Sequence, residues 1–270
     1  MVVECPRCRA QNAPGSSFCT SCGCSLEGTL VQGRTIAIPA AAQAAHAPVQ
    51  AAPAPIASPR PVLATPVLPG PSYPPPDPGT QREQVICVID KSGSMNWPFR
   101  DGMIKLDAAK RANIALVLEK WSIDPSDEIG VVAFDKHAEV LLGLSPLHSH
   151  KSQIIQAIQS IQPGGGTDQN EGLKAARNMF DFDQPDVVRR IIELSDGCGG
   201  HPVRTSKKLK SKGVIIDVIG IGPDTKGVNE RLLRKVASTV QGELHYWHIL
   251  EQTSLVMTYQ GLARKTLTGN

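Results

Sequence analysis

Residues 86–95 read ICVIDKSGSM, so an apolar segment leads directly into a short run of oxygen-bearing side chains. The β-branched residues predict a strand that is buried on both faces and ends at Asp90. Because residues two apart on an extended segment point the same way, Asp90, Ser92 and Ser94 can offer three oxygens to one hard cation. No histidine lies near this run, which favours a divalent-metal site over a catalytic triad.

The composition is that of an ordinary globular protein with a small positive charge. Of the 270 residues, 41% are hydrophobic and 20% are charged, and the net charge is +3. This charge is too small to indicate binding to nucleic acid or to an anionic membrane. No apolar run approaches the ~20 residues of a membrane span, and the first residues lack the pattern of a secretory signal. We therefore expect a soluble, cytoplasmic protein with no membrane partner.

Two C-x-x-C pairs lie near the amino terminus, Cys5 with Cys8 and Cys19 with Cys22. In a reducing compartment such pairs indicate a metal site rather than disulfides. A tetrahedral Zn²⁺ would also stabilise a segment that is too short for a core of its own. Residues 1–28 resemble the bacterial zinc-ribbon family, although the two pairs are more closely spaced than usual. Two alternatives stay open: the pairs are free or redox-active thiols, or Cys24 replaces Cys22 as a ligand.

Residues 29–82 are dominated by alanine and proline and have almost no charge. Such a segment cannot bury enough apolar area to offset the entropy of ordering, so it predicts a disordered linker that proline keeps extended.

Residues 83–270 alternate between short apolar runs and amphipathic stretches. The runs at 85–89, 129–134, 188–194 and 214–221 predict buried strands, and a last strand is expected near 243–249. Predicted helices lie at 106–121, 152–161, 170–180, 206–211, 229–239 and 252–265. This alternation indicates a Rossmann-like, doubly wound α/β domain with a mostly parallel sheet. Residues 140–142 can pair antiparallel with the preceding strand as an edge hairpin.

Two further segments place oxygen-bearing side chains where the ligands of an open α/β sheet bind, at the carboxyl ends of the strands. The run GGGTD, residues 164–168, joins two predicted helices and contains Thr167. The run LSDG, residues 194–197, places Asp196 at the end of a central strand. Together with Asp90, Ser92 and Ser94 they form a constellation rather than a single motif.

From about residue 84 onward the chain resembles a von Willebrand factor A domain with a metal-ion-dependent adhesion site, or MIDAS. The family's D-x-S-x-S falls on Asp90, Ser92 and Ser94, its threonine on Thr167 and its second aspartate on Asp196. The resemblance implies bound Mg²⁺, or Mn²⁺ or Ca²⁺, with one or both aspartates acting through water.

Such a metal remains strongly electrophilic, so we expect an Asp or Glu of a partner protein to complete its coordination. The resemblance therefore implies a non-enzymatic protein-binding module, an adaptor or scaffold, with a Thr167 loop that can move and pull on the final helix. Bacterial proteins of this build can serve in assemblies with AAA+ ATPases, kinases or phosphatases, and the sequence does not choose among them.

Two other functions fit the sequence less well. A phosphotransferase or phosphatase of the haloacid-dehalogenase kind would use Asp90 as nucleophile, but it needs a second carboxylate two residues later, where Ser92 stands. Nucleic-acid binding through the zinc segment is disfavoured because only Arg7, Arg9 and Arg34 lie in or near that segment.

Several residues near these motifs have simpler explanations. Asp168 is expected to cap the following helix, with Glu171 as its reciprocal partner. Ser195 is expected to face away from the site, and Cys87 to lie in the core. Lys207 and its neighbours, Lys208, Lys210 and Lys212, predict a solvated helix face, with an acidic partner as the alternative.

Overall fold

The computed structural model describes residues 3–4, 11–12, 81–99, 101–184, 186–196, 199–222 and 228–264. The strands are β1 (Val3–Glu4), β2 (Gln11–Asn12), β3 (Glu83–Asp90), β4 (Glu128–Phe134), β5 (Ala138–Pro146), β6 (Val188–Ser195), β7 (Ile215–Ile221), β8 (Thr239–Val240), β9 (Glu243–Leu244) and β10 (Tyr246–Ile249). The helices are α1 (Lys105–Ile123), α2 (Leu147–Ser160), α3 (Gln169–Met179), α4 (Val203–Lys210), α5 (Glu230–Val236) and α6 (Gln252–Arg264).

Six of the strands form one sheet in the order β10-β7-β6-β3-β4-β5. Neighbouring strands are parallel except β4 and β5, which run antiparallel. Every residue of β3 and β6 is buried, as expected for central strands covered on both faces. The predicted mostly parallel sheet with one antiparallel strand is confirmed.

Helices cover both faces of this sheet. Val85, Cys87 and Ile89 of β3 pack in the same apolar cluster as residues of α1, α2 and α6. Ile86 and Val88 point the other way, into a second cluster with residues of α3, α4 and α5. Strand β3 therefore anchors both halves of the core, and the prediction that Cys87 is a core residue is confirmed.

Helices α2 and α4 begin several residues earlier than the apolar pattern predicts. Each starts directly after a proline, Pro146 or Pro202, whose fixed φ suits the entry to a helix. The first turns are largely polar or charged, so they carry no apolar periodicity that would mark the start.

The amino-terminal part is described only in outline. Strands β1 and β2 pair antiparallel, whereas Cys5, Cys8, Cys19, Cys22 and Cys24 lie outside the described residues. The predicted linker lies outside them too, except for its last two residues. In the part of the chain that is described, no helix is long and apolar enough to cross a membrane.

Candidate functional site

Asp90 ends the central strand β3 and is completely buried. One carboxylate oxygen, Oδ1, accepts a hydrogen bond from the backbone N–H of Ser92 at 2.8 Å. The other, Oδ2, accepts one from the Ser195 hydroxyl at 2.7 Å. Burial raises the pKa of Asp90 to about 6; the hydrogen bonds from Ser92 and Ser195 lower it, and the negative charge of Asp196 raises it further. The carboxylate is thus held in one orientation in a site that disfavours its charge.

The hydroxyls of Ser92 and Ser94 lie side by side, with their Oγ atoms 3.2 Å apart. Ser92 is buried, and Ser94 is half-buried within a short 3₁₀ turn, Gly93–Asn96. Met95, inside the same turn, is fully buried and anchors it to the core. The two hydroxyls are therefore neighbours, but Ser94 reaches this position through a 3₁₀ turn rather than along an extended segment.

The glycine-rich loop before α3 packs against this turn through backbone hydrogen bonds. The N–H of Gly93 donates to the carbonyl of Gly165 at 2.8 Å, and the N–H of Gly164 donates to the carbonyl of Lys91 at 2.6 Å. Asp135, which follows β4, accepts a hydrogen bond from the N–H of Gly165 at 3.2 Å. These bonds bring the loop that carries Thr167 beside the loop that carries Ser92 and Ser94.

Gly199 and Gly200 lie against Thr167 and Asp168, respectively. Gly199 and Gly200 have φ of 136° and 78°, which L side chains rarely adopt. A Cβ on Gly199 would lie 2.2 Å from the carbonyl oxygen of Thr167, and one on Gly200 would lie 2.2 Å from Oδ1 of Asp168. Only glycine permits this close approach. The sequence pattern alone does not identify these two positions.

Asp196 follows β6 directly and is 2% exposed. Its Oδ2 lies 3.7 Å from the Nζ of Lys105, a buried lysine at the start of α1. Asp196 also acts on Asp90 electrostatically, because its charge raises the pKa of Asp90. The structure therefore brings both predicted aspartates to the same edge of the sheet, as the strand order requires.

The expectation that Ser195 faces away from the site is wrong. Strands β3 and β6 pair in parallel with Ile89 opposite Leu194, so the next residues along, Asp90 and Ser195, are also neighbours. The Ser195 hydroxyl bonds the Asp90 carboxylate and accepts a hydrogen bond from the Gln169 amide at 3.1 Å. The strand register was the signal that could have identified Ser195, and the sequence alone does not give it.

The expected helix cap at Asp168 is confirmed, but its partner is not Glu171. The Asp168 side chain accepts from the N–H of Asn170 at 3.0 Å. Glu171 instead pairs with Lys174 at 2.7 Å.

In the lysine run, Lys207 and Lys208 are exposed on α4, as a solvated helix face predicts. Lys210 donates to three carbonyls at the end of α5, so part of the run stabilises a helix end.

The donor set fits a hard divalent cation. Within the described ranges no three His, Cys, Asp or Glu side chains gather to hold a metal, so a cation here would need the hydroxyls as well as Asp90 and Asp196. Carboxylates and hydroxyls are the oxygen ligands that Mg²⁺, Mn²⁺ and Ca²⁺ prefer. A bound cation would also offset the repulsion between two buried carboxylates.

Comparison with known proteins finds a family model that matches part of this chain. Residues 85–199 match the family model described as von Willebrand factor type A domain. The calcium-activated chloride channel regulator 1 of Bos taurus is 30% identical over 145 residues, which are 53% of this chain and 15% of that protein. The chain thus spans less than a sixth of that relative's length.

Solved structures share the fold. A von Willebrand factor type A structure from Catenulispora acidiphila has a TM-score of 0.56 at 25% identity and covers 69% of this chain and 43% of its own. Proximal thread matrix protein 1 of the mussel byssus, solved with a zinc-occupied MIDAS motif, has a TM-score of 0.55 at 23% identity. That match covers 68% of this chain and 45% of the mussel protein.

Proposed function

We propose that this chain is a protein-interaction module of the von Willebrand factor type A kind, which residues 85–199 match, and that it binds a partner protein through a divalent cation. Asp90, Ser92, Ser94, Thr167 and Asp196 hold the cation, and an Asp or Glu of the partner completes the coordination. The cation is Mg²⁺ or, in its place, Mn²⁺ or Ca²⁺.

One observation carries this proposal: two nearly inaccessible carboxylates lie beneath an accessible layer of hydroxyls and glycines. Asp90 and Asp196 are at most 2% exposed, whereas Ser94 and Thr167 are half-buried, and Gly93 and Gly165 are exposed. A cation between these layers would keep one side open to solvent. An anionic ligand from another molecule is the natural occupant of that side.

The mussel protein supports the metal part of the proposal. Its structure has a zinc-occupied MIDAS motif on the same fold, and this chain carries oxygen-bearing side chains at Asp90, Ser92, Ser94, Thr167 and Asp196. The choice of Mg²⁺ or Mn²⁺ over Zn²⁺ follows from the donors, since oxygen ligands without thiolate or imidazole suit the harder ions.

We further propose that the domain is not an enzyme. Phosphoryl transfer through Asp90 would need a general acid two residues later, and Ser92 places its hydroxyl against Ser94 instead. An unactivated hydroxyl transfers protons poorly near neutral pH. Turnover of a generic phosphate ester that is lost in Asp90→Asn would overturn this assignment.

The remaining parts of the chain fit an adaptor. We propose that Cys5, Cys8, Cys19 and Cys22 bind Zn²⁺ in a small ribbon and that residues 29–82 tether this ribbon to the metal-binding domain. A module of this kind joins one protein through its metal edge and a second through its ribbon. Assemblies that contain AAA+ ATPases, kinases or phosphatases are the partners to test first.

The experiment uses the zinc-loaded full-length chain. Isothermal titration with Mn²⁺ is expected to give one equivalent of binding, and immobilised protein is expected to retain a partner in Mg²⁺ and release it in EDTA. The double variant Asp90→Ala/Ser92→Ala should lose both properties. Asp107→Ala/Ser122→Ala, which removes an exposed pair of the same residue types from α1, should keep both.

Two results would contradict the proposal. One is absence of Mn²⁺ binding by a folded wild-type protein. The other is partner retention by Asp90→Ala/Ser92→Ala at the wild-type level in chelator-free buffer.

A further inference from the structure

We propose that Lys105 is a built-in counter-cation of the metal site. Its ammonium group shares Asp196 with the divalent ion, weakens the binding of that ion, and leaves the loaded site with excess positive charge for an acidic ligand. This inference rests on the proposed metal site and adds to it a residue outside the five oxygen-bearing positions.

The contact between Lys105 and Asp196 is a buried one. The Nζ of Lys105 lies 3.7 Å from Oδ2 of Asp196, and the two side chains are 5% and 2% exposed. The distance is too long for a hydrogen bond, so the attraction is that of two charges. Because water is largely excluded from both groups, this attraction is screened far less than that of a surface ion pair.

The position of Lys105 disfavours a positive charge, so the charge needs a nearby anionic group to stabilise it. It is the first residue of α1, where the helix dipole disfavours a cation, and burial disfavours the same charge. The backbone nevertheless holds the residue there: the Lys105 N–H donates to the carbonyl of Trp97 at 3.1 Å, and Pro98 bridges to Ile104. The carboxylate of Asp196 is the group that compensates for these costs.

Formal charges show what Lys105 changes. A carboxylate must be deprotonated to bind a metal, so Asp90 and Asp196 contribute two formal negative charges to the loaded site. Lys105 cancels one of the two negative charges, so a divalent ion leaves the site with one positive charge instead of none. A site with a surplus positive charge attracts a carboxylate more strongly, and its metal is held less tightly.

The test measures the affinity of the full-length, zinc-loaded protein for Mn²⁺ alone, by isothermal titration at pH 7.5. Lys105→Met and Lys105→Gln are expected to bind Mn²⁺ roughly 10-fold or more tightly, as removal of a nearby buried charge predicts. Lys105→Arg keeps the charge and should bind close to the wild-type affinity. Lys110→Met removes a half-buried lysine from the same helix and should bind within about twofold of wild type.

The controls separate this inference from the metal site itself. An Asp90→Asn background measures any Mn²⁺ bound elsewhere, and circular dichroism confirms that each variant is folded. If Lys105→Met does not fold, Lys105→Gln and Lys105→Arg decide the question. Unchanged or weaker Mn²⁺ binding in the neutral variants overturns the role of Lys105 while leaving the metal site intact. No Mn²⁺ binding by the wild type overturns both.

Discussion

At the residue scale, the pairing register of β3 and β6 places the Ser195 side chain on Asp90. Its hydroxyl donates to the buried Asp90 carboxylate and accepts from Gln169, so it links the end of β3 to the start of α3. A buried carboxylate depends on such donors, because each one offsets part of the cost of removing the charge from water.

We therefore expect Ser195→Ala to lower the free energy of unfolding by about 1–2 kcal/mol, since a buried acceptor loses its donor. The pKa of Asp90 should rise further, because a hydrogen bond to its charged form is lost. Urea unfolding at pH 7.5 measures the first effect. Ser122→Ala, which removes an exposed hydroxyl that donates to the carbonyl of Glu119 in the same helix, is the control and should change stability by less than ~0.5 kcal/mol. Equal effects of the two variants would contradict this role of Ser195.

Glu193 predicts how stability depends on pH. It lies fully buried in β6, and neither of its carboxylate oxygens has a hydrogen-bond partner among the described residues. Burial, with a smaller contribution from the charge of Asp90, raises its pKa from 4.5 to about 8. The folded state thus holds a proton that the unfolded chain releases above pH 4.5, so stability from this group is lost as pH rises through 8.

Glu193→Gln should remove this dependence. Between pH 6 and pH 9 the wild type is expected to lose on the order of 2 kcal/mol more stability than the variant. Urea unfolding across this range gives the slope, which is the readout because the substitution also shifts the absolute stability. Glu251→Gln, on the exposed turn before α6, should keep the wild-type slope. A wild-type slope in Glu193→Gln would contradict the assignment.

At the scale of elements, the site consists of loops that backbone contacts hold together. The turn after β3 bonds the glycine-rich loop before α3, Gly199 permits the close approach of the Thr167 backbone, and Gly200 permits that of the Asp168 side chain. The position of Thr167 therefore depends on Gly199, which has no side chain.

Gly199→Ala is expected to destabilise the fold by about 2–4 kcal/mol, because its Cβ would meet the Thr167 carbonyl and its backbone would be strained. It should also weaken Mn²⁺ binding, since Thr167 would shift. Gly213→Ala is the matched control: it also has positive φ, at 79°, but nothing lies within 4 Å of its Cβ, and we expect a cost of about 1 kcal/mol. Equal costs, measured by urea unfolding, would exclude the close contact as the cause.

The elements themselves were largely predictable, for a physical reason. Buried parallel strands are short apolar runs and helices alternate with them, so the sheet, its antiparallel strand and the five candidate site residues were accessible from local patterns. Local patterns do not identify Ser195, Lys105 or Gly199. These three residues make contacts across 105, 91 and 32 chain positions. Such contacts depend on strand register and loop packing rather than on adjacent residues in the sequence.

At the scale of the whole molecule, the proposed cation would bind only the folded chain, because the fold brings Asp90 and Asp196 together, so its binding would stabilise the fold. A ligand that binds only the folded state stabilises it by about 2.7 kcal/mol at 100 times its Kd, which corresponds to roughly 5–10 °C in the melting temperature of a domain of this size. We expect this increase when Mn²⁺ is added to the wild type, measured by differential scanning calorimetry. Asp90→Ala/Ser92→Ala should show no increase, and an equal shift in that variant would place the ion elsewhere.

The proposed ribbon gives a prediction that is independent of the metal edge. Cys5→Ser should reduce bound zinc from one equivalent to none by elemental analysis, because a tetrahedral site needs all four thiolates. The melting temperature of the larger domain should not change. Cys24→Ser is the control: retained zinc supports Cys22 as the ligand, and lost zinc assigns Cys24 in its place.

The strand order has a consequence for the synthesis of this protein. Strand β3, one of the two central strands, pairs with β4 on one side and with β6 on the other, and its contact with β6 spans 105 positions. During translation β3 therefore has an open apolar edge until β6 has left the ribosome, and such edges recruit other chains. Truncations that end between β4 and β6 should accumulate as aggregates, whereas in fragments that retain β6 this edge of β3 is paired.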